Sequence, residues 1–373
     1  YDAELAGIHY HLYAHQGGVT LQLSGVSEKQ PLLLRKLLTS LTTQRFHQDK
    51  FALFKKQLIN HWHNADQSKS ISQLFSMLSS TMQPKKPSSE NLSSHLDKVT
   101  FDEFCLFAQQ LFSQVNLELF IHGNWREDDA ALICKDIKKL FQGKYDEKHA
   151  VEIGVIDNKN YGDKILPMLL PEHDHASVVY YPFADKSIKT IATAMVLSQL
   201  FSPHFFHEMR TEKQFGYLVG VGYVPVGYFP GIAFYIQSPH TKAKALSEAI
   251  NSFIANSLTL LKEMPESQWL QLQQGLASQL QENDASLRIK SQRFWGALCN
   301  QDYEFNRKKQ LIEIIETMTL DNLIDFIDLH LAQTEQHDRV SLISIKSDEE
   351  LDEFNQSKII SSNQLQQDCT LKV

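Results

Sequence analysis

Residues 207–222 read HEMRTEKQFGYLVGVG. The first part is charged and suits a helix; the second is a run of Val, Leu, Tyr and Gly that suits a strand. Gly216 stands at the junction, where a glycine can end a helix as its C′ residue. The stretch therefore predicts a helix running into a buried strand. Arg210 falls in the last helical turn and Tyr217 opens the strand, so both side chains emerge at one end of a sheet.

Working outward, VVYYPF (178–183) reads as a strand and 187–201 as a helix, with Ile188, Ile191, Met195 and Val196 at helical spacing. Pro203 suits the first turn of a next helix, which Gly216 would end. YLVGVGYV and GIAFYIQS pair around the turn-rich VPVGYFPG. Helices are predicted at about 241–262, 266–281, 284–299 and 319–331, and VSLISI (340–345) reads as a closing strand.

The N-terminal part repeats this order. AGIHYHLY and VTLQLSG are predicted strands around AHQGG; helices follow at about 31–45, 49–63, 70–82 and 101–113, then the strand LELFIHG (117–123) and a helix at 126–141. Gly7 matches Gly216, Gly18 matches Gly231, Phe51 matches Trp269, and TFDEF (100–104) matches TLDNL (319–323). The offset drifts upward without a jump, as loop insertions in a second copy would produce. The expectation is two homologous α+β domains, each a mainly antiparallel sheet with helices packed on one face. The first spans 1–147, a polar linker 148–170, and the second 171–373. Only six residues precede Gly7, against a strand and two helices before Gly216, so the first domain is expected to be truncated. The polar tail after residue 346 is expected to be partly disordered.

A length of 373 residues suits two domains, and a net charge of −8 without a basic block gives no footprint for nucleic acid. No run approaches about 18 apolar residues, so no membrane span is predicted. The first residues carry neither an initiator Met nor a signal-peptide pattern and read as the interior of a protein. Cys105, Cys134, Cys299 and Cys369 are scattered, which suggests neither a metal site nor a disulfide framework.

The 16 histidines call for a test of zinc chemistry, which places two His one helical turn apart beside a Glu, as H-E-x-x-H or H-x-x-E-H. Neither pattern occurs. His207-Glu208 has Thr211 where a second His is needed, His61 and His63 diverge on a helix, and His9, His11 and His15 lack a suitably spaced carboxylate. No metal ligands are expected in this chain. A nucleophile elbow, a phosphate loop and a dinucleotide fingerprint are also absent.

Arg210 and Tyr217 are left as candidates. A guanidinium offers a fork of donors to a carbonyl or carboxylate, and a phenol can donate to a developing oxyanion. Phe206, one turn before Arg210, would supply an apolar wall. The residues alone favour a plainer account: a cation stabilised at a helix C-terminus and a half-buried strand tyrosine.

RTEKQFGYLVG resembles the C-terminal half of the insulinase family of zinc metallopeptidases, the inverzincins, and particularly its pitrilysin and insulysin branch. YDAELAGIHYHL, SGVSEKQPLLLRKLL, LELFIHGNW and FWGAL (294–298) resemble the same branch in order and spacing. The resemblance covers nearly the whole chain. It implies four related α+β domains paired into two halves that close around a peptide-trapping chamber. Zinc would be the cofactor of the intact enzyme, held by H-x-x-E-H and a distant Glu in an N-terminal half that would be this chain's partner. The C-terminal half would bind no metal and be inactive alone.

Carried over by motif, Arg210 would bind substrate backbone, Tyr217 would hydrogen-bond the substrate or the tetrahedral intermediate, Phe206 would line a side-chain pocket, and Gly216 would hold the turn between them. Tyr1 and Ile8 stand at the equivalent places in the first copy. Ala285-Ser286 replace a Lys pair of the family's anion-binding region, which argues against nucleotide or polyphosphate regulation. The alternative that the resemblance allows is a non-catalytic structural or peptide-binding subunit of the same fold. Periplasmic and cytoplasmic compartments are both open.

Overall fold

The computed structural model describes residues 5, 7–43, 45–65, 68–142, 144, 153–332 and 338–372. In chain order the elements open with a hairpin, β1 (Ile8–His15) and β2 (Gly18–Gly25). Helices α1 (Gln30–Thr43), α2 (Gln48–Ala65), α3 (Ser70–Met82), α4 (Ser89–Lys98), α5 (Phe101–Gln110) and α6 (Glu127–Leu140) follow. Strands β3 (Val155–Asp157), β4 (Lys164–Leu169) and β5 (His175–Pro182) lead into α7 (Ile188–Phe206), which widens into a π-helical turn over His207–Glu212. β6 (Leu218–Tyr223) and β7 (Gly231–Ser238) precede α8 (Ala243–Lys262), α9 (Glu266–Gln281), α10 (Leu287–Cys299), α11 (Arg307–Thr317) and α12 (Leu320–Ile327). β8 (Val340–Ile345), α13 (Ser362–Asp368) and β9 (Thr370–Lys372) complete the order.

Contacts divide the chain into two units. One gathers Tyr1–Ala65, Ser89–Ile153 and Ala285–Trp295. Its hairpin pairs antiparallel from Ile8↔Gly25 to His15↔Gly18. An aromatic cluster joins α2 and α5, with Phe51 and Phe104 ring centroids 5.1 Å apart and Phe46 4.8 Å from Phe104. Lys55 on α2 donates to the carbonyls of Asp97 and Val99, fixing the α4–α5 connection. The predicted strand at 117–123 joins no sheet among the described residues. A strand needs a ladder partner; here Phe120 and His122 instead lie among rings, each near Phe294, with Ser291 bonded to the His122 ring at 2.7 Å.

The other unit gathers Asp66–Ser88, Gly154–Asp284 and Gly296–Val373 around a five-stranded sheet ordered β4-β8-β5-β7-β6. Only β4 and β8 run parallel; the other neighbours are antiparallel. Pro167 is tolerated in β4 because that strand lies at the sheet edge. Side chains alternate between two cores, so β5 sends Val179 and Tyr181 to one face and Ala176, Val178 and Tyr180 to the other. Burial on both faces explains why VVYY is a continuous apolar run. The larger helical layer, α7, α8, α9, α11 and α12, covers the first face. Leu74, Leu78 and Met82 of α3, with Leu365 of α13, cover the opposite face.

Several elements differ from the sequence reading. Helix α7 runs through Pro203 to Phe206, because the core contacts of Leu200, Phe201 and Phe205 hold it together across the missing proline N–H. Part of the linker forms β3 and the edge strand β4, and α11 was not predicted at all. The tail carries α13 and β9, and β9 pairs with β3. Lys358 of that tail bonds Asp163, which forms a buried ion pair with Arg339 at 2.9 Å. Burial raises the Asp163 pKa, but the Arg339 guanidinium and Lys358 outweigh it and hold the carboxyl below its ordinary value. The 147/148 boundary and Tyr1 lie outside the described residues. Asp66–Ser88 joins the second unit and Ala285–Trp295 the first, a partition set by which apolar faces meet rather than by sequence order.

Candidate functional site

The helix-to-strand junction is built by packing. Phe205 and Met209 are fully buried, one turn apart, and anchor the π-helical turn to the core. The intervening Phe206 and the following Arg210 are thereby turned outward. The helix ends as Lys213 N–H donates to the Glu208 carbonyl and Phe215 N–H to the Met209 carbonyl. The left-handed residue of this ending is Gln214, at φ 54°, not Gly216. Gly216 is needed for another reason: a Cβ there would stand 1.9 Å from the Gln237 carbonyl oxygen. The turn lies against the backbone of β7, and no side chain fits between them.

That close approach places Tyr217 beside β7, where Leu218 pairs with Gln237. The Arg210 guanidinium lies 5.4 Å from the Phe206 ring centroid, and its Nη1 donates to the Tyr217 carbonyl at 2.5 Å. Phe206 and Tyr217 each remain 44% exposed, so both can meet a ligand. All four residues singled out in the sequence therefore meet at one end of the sheet.

Sequence reasoning missed the groups around the phenol. Gln237 Nε2 donates to the Tyr217 hydroxyl at 2.8 Å and to Asp174 Oδ2 at 3.0 Å, and the Tyr217 hydroxyl donates to the same Asp174 oxygen at 3.1 Å. Gln237 Oε1 accepts from the Ile71 N–H of α3 at 3.1 Å. The Asp174 carbonyl accepts from the hydroxyls of Ser70 and Ser344. Lys69 Nζ lies 5.6 Å from the Tyr217 ring centroid. Partial desolvation, with the hydrogen bond to Asp174, raises the phenol's pKa above its ordinary value. A register count along the β6–β7 hairpin could have brought Gln237 to Tyr217. Asp174 and α3 carry no comparable local signal.

Among the described residues, no group of three or more His, Cys, Asp and Glu is placed to hold a metal ion. No helix among these residues is long and apolar enough to cross a membrane.

Residues 1–95 match the middle or third domain of M16 peptidases, and residues 196–295 match domain 4 of the C-terminal lobe of PQQ synthase PqqF-like proteins. The insulin-degrading enzyme of Homo sapiens is 24% identical over 341 residues, covering 89% of this chain and 33% of the relative. Protease 3 of Escherichia coli is 22% identical, covering 87% and 34%. The chain spans about a third of the length of these relatives. The crystal structure of pitrilysin superposes with a TM-score of 0.83 at 19% identity, over 99% of this chain and 40% of pitrilysin. A peptidase M16 inactive domain from Pseudomonas fluorescens gives 0.64 at 13% identity, covering 91% and 82%. These structural likenesses show the fold. With the third- and fourth-domain matches and the insulin-degrading enzyme relatives, they lead to one conclusion: the chain belongs to the insulinase family of M16 peptidases and corresponds to its C-terminal half.

Proposed function

We propose that this chain is the zinc-free half of an insulinase-type metalloendopeptidase, enclosing peptides in a chamber and presenting Arg210 and Tyr217 to the bond being cut. The observation that supports this most is the exposed grouping of Phe206, Arg210 and Tyr217, held by a buried framework at one end of the sheet. Of the five N–H donors of Arg210, one bonds the Tyr217 carbonyl, which sets the fork's direction and leaves donors for substrate backbone carbonyls. Phe206 gives an apolar surface beside that fork. The Tyr217 hydroxyl would donate to the oxyanion of the tetrahedral intermediate, an interaction that strengthens as charge develops.

The partners on this reading are a peptide substrate and the family's N-terminal half, which would carry the zinc. Zinc bound there would supply Lewis-acid activation of the attacking water. This chain's residues bind, orient and exclude water.

Metal analysis and a quenched-peptide assay, run on this chain and on the full-length protein, test the division of labour. The full-length protein should hold zinc near one per chain and cleave peptides; this chain alone should hold none above background and cleave nothing. Stoichiometric zinc or turnover in this chain would overturn the proposal. Zinc-free, inactive full-length protein would favour the non-catalytic subunit.

A further inference from the structure

The polar ring around the Tyr217 phenol has only one consistent assignment of hydrogens. Gln237 Oε1 receives the Ile71 backbone N–H, so the Gln237 amide must point its Nε2 toward Asp174 and Tyr217. Its two N–H groups then serve the Asp174 carboxylate and the phenolic oxygen. A phenol has a single hydrogen. With its oxygen accepting from Gln237 at 2.8 Å, that hydrogen goes to Asp174 Oδ2 at 3.1 Å. The Asp174 backbone is anchored by the hydroxyls of Ser70 and Ser344 on its carbonyl, and its carboxylate is held by Gln237 Nε2. Gln237 is likewise fixed, at 2% exposed.

We infer that Asp174 is a positioning residue that withholds the Tyr217 hydrogen from neutral acceptors and releases it to an oxyanion; the inference rests on the reading of Tyr217 as a substrate-facing group. A carboxylate is a stronger acceptor than a neutral amide carbonyl. A peptide carbonyl entering the site therefore does not take the hydrogen from Asp174. Once that oxygen becomes negatively charged it competes with the carboxylate, and the hydroxyl turns from Asp174 to it. No covalent bond is made or broken in this exchange; one hydrogen bond replaces another. Asp174 so removes a contact from the bound substrate that would otherwise be made before the chemistry begins, and this lowers ground-state binding.

Two measurements test this, one free of catalysis. In this chain, carbon-13 NMR of tyrosine labelled at Cζ, with Tyr217→Phe identifying the resonance, follows the Tyr217 titration. Asp174→Asn keeps the shape and removes the charge, so the titration midpoint should fall. A midpoint that does not move overturns the inference, whatever the peptidase assay gives.

In the full-length enzyme, Asp174→Asn should lower KM and raise kcat/KM by roughly threefold to tenfold, since a neutral acceptor holds the phenol about half as strongly. In the Tyr217→Phe background the same substitution should change neither. A fall in kcat/KM, or an equal change in both backgrounds, overturns the inference and reduces Asp174 to a structural role. If Tyr217→Phe itself leaves turnover unaltered, the functional reading fails instead, and the NMR midpoint alone decides whether Asp174 holds the phenol. Thermal melts of each variant separate these effects from misfolding.

Discussion

At position 216 there is room for a hydrogen and nothing larger. The sequence marked this glycine correctly as a junction but for a reason the structure replaces: Gln214 adopts the left-handed conformation, while Gly216 admits the backbone of β7. Gly216→Ala must therefore push the turn off Gln237, and should cost about 1–3 kcal/mol. Urea unfolding measures this; an unchanged midpoint would contradict the close approach. Arg339 poses the opposite problem, a charge sealed inside. It is 4% exposed, bonds Asp163 and the Tyr181 hydroxyl, and has no local sequence signal, since its partner lies 176 residues away. Arg339→Ala leaves the Asp163 carboxylate buried with Lys358 alone, and a loss of about 3–5 kcal/mol is expected in the same unfolding assay. Arg210 and Phe206 were legible because they sit one helical turn apart. Asp174 was not, being 43 residues from Tyr217 and joined to it only by the fold.

At the scale of elements, continuous apolar runs were the easiest to read. GIAFYIQS and VSLISI became β7 and β8 at the predicted bounds because both faces of the sheet are buried. β4 escaped notice because Pro167 interrupts its apolar run, and β9 because it has only three residues; both are edge strands ordered by their neighbours. LELFIHG failed in the other direction: it has strand composition but joins no sheet among the described residues. The sheet also has a pH signature. Burial raises the pKa of Tyr180, Tyr181 and Tyr223 above the ordinary phenol value, and the hydrogen bond to Asp368, with some burial, pushes Tyr161 up to about 12. A raised folded-state pKa means that the native state retains protons the unfolded chain has lost. This stability is fully present below the unfolded phenol pKa of about 10 and is lost as pH rises through the folded values. Melting temperature should hold steady from pH 8 to 9.5 and fall increasingly above pH 10; a flat profile to pH 12 would contradict it.

For the whole molecule, sequence order and spatial order part company. The repeat within the chain remains a proposal drawn from matched glycines, an aromatic pair and the segments TFDEF and TLDNL. The units found by contact exchange α3 and the start of α10 relative to a division near residue 148. The apolar stripe of α3 is legible as helix; which sheet receives it is not, because many faces have similar stripes. The same limit governs function. Motif and fold place the chain in a family, yet its role, on the reading proposed above, depends on what Arg210 and Tyr217 face. The most direct measurement is the turnover of a quenched peptide by full-length enzyme carrying Tyr217→Phe, with zinc content and melting temperature checked against the parent. The account predicts unchanged zinc and fold with kcat lowered roughly tenfold or more, as losing one transition-state hydrogen bond requires. Parental kcat at full zinc occupancy would remove the phenol from the mechanism and contradict the assignment of chemistry to this half.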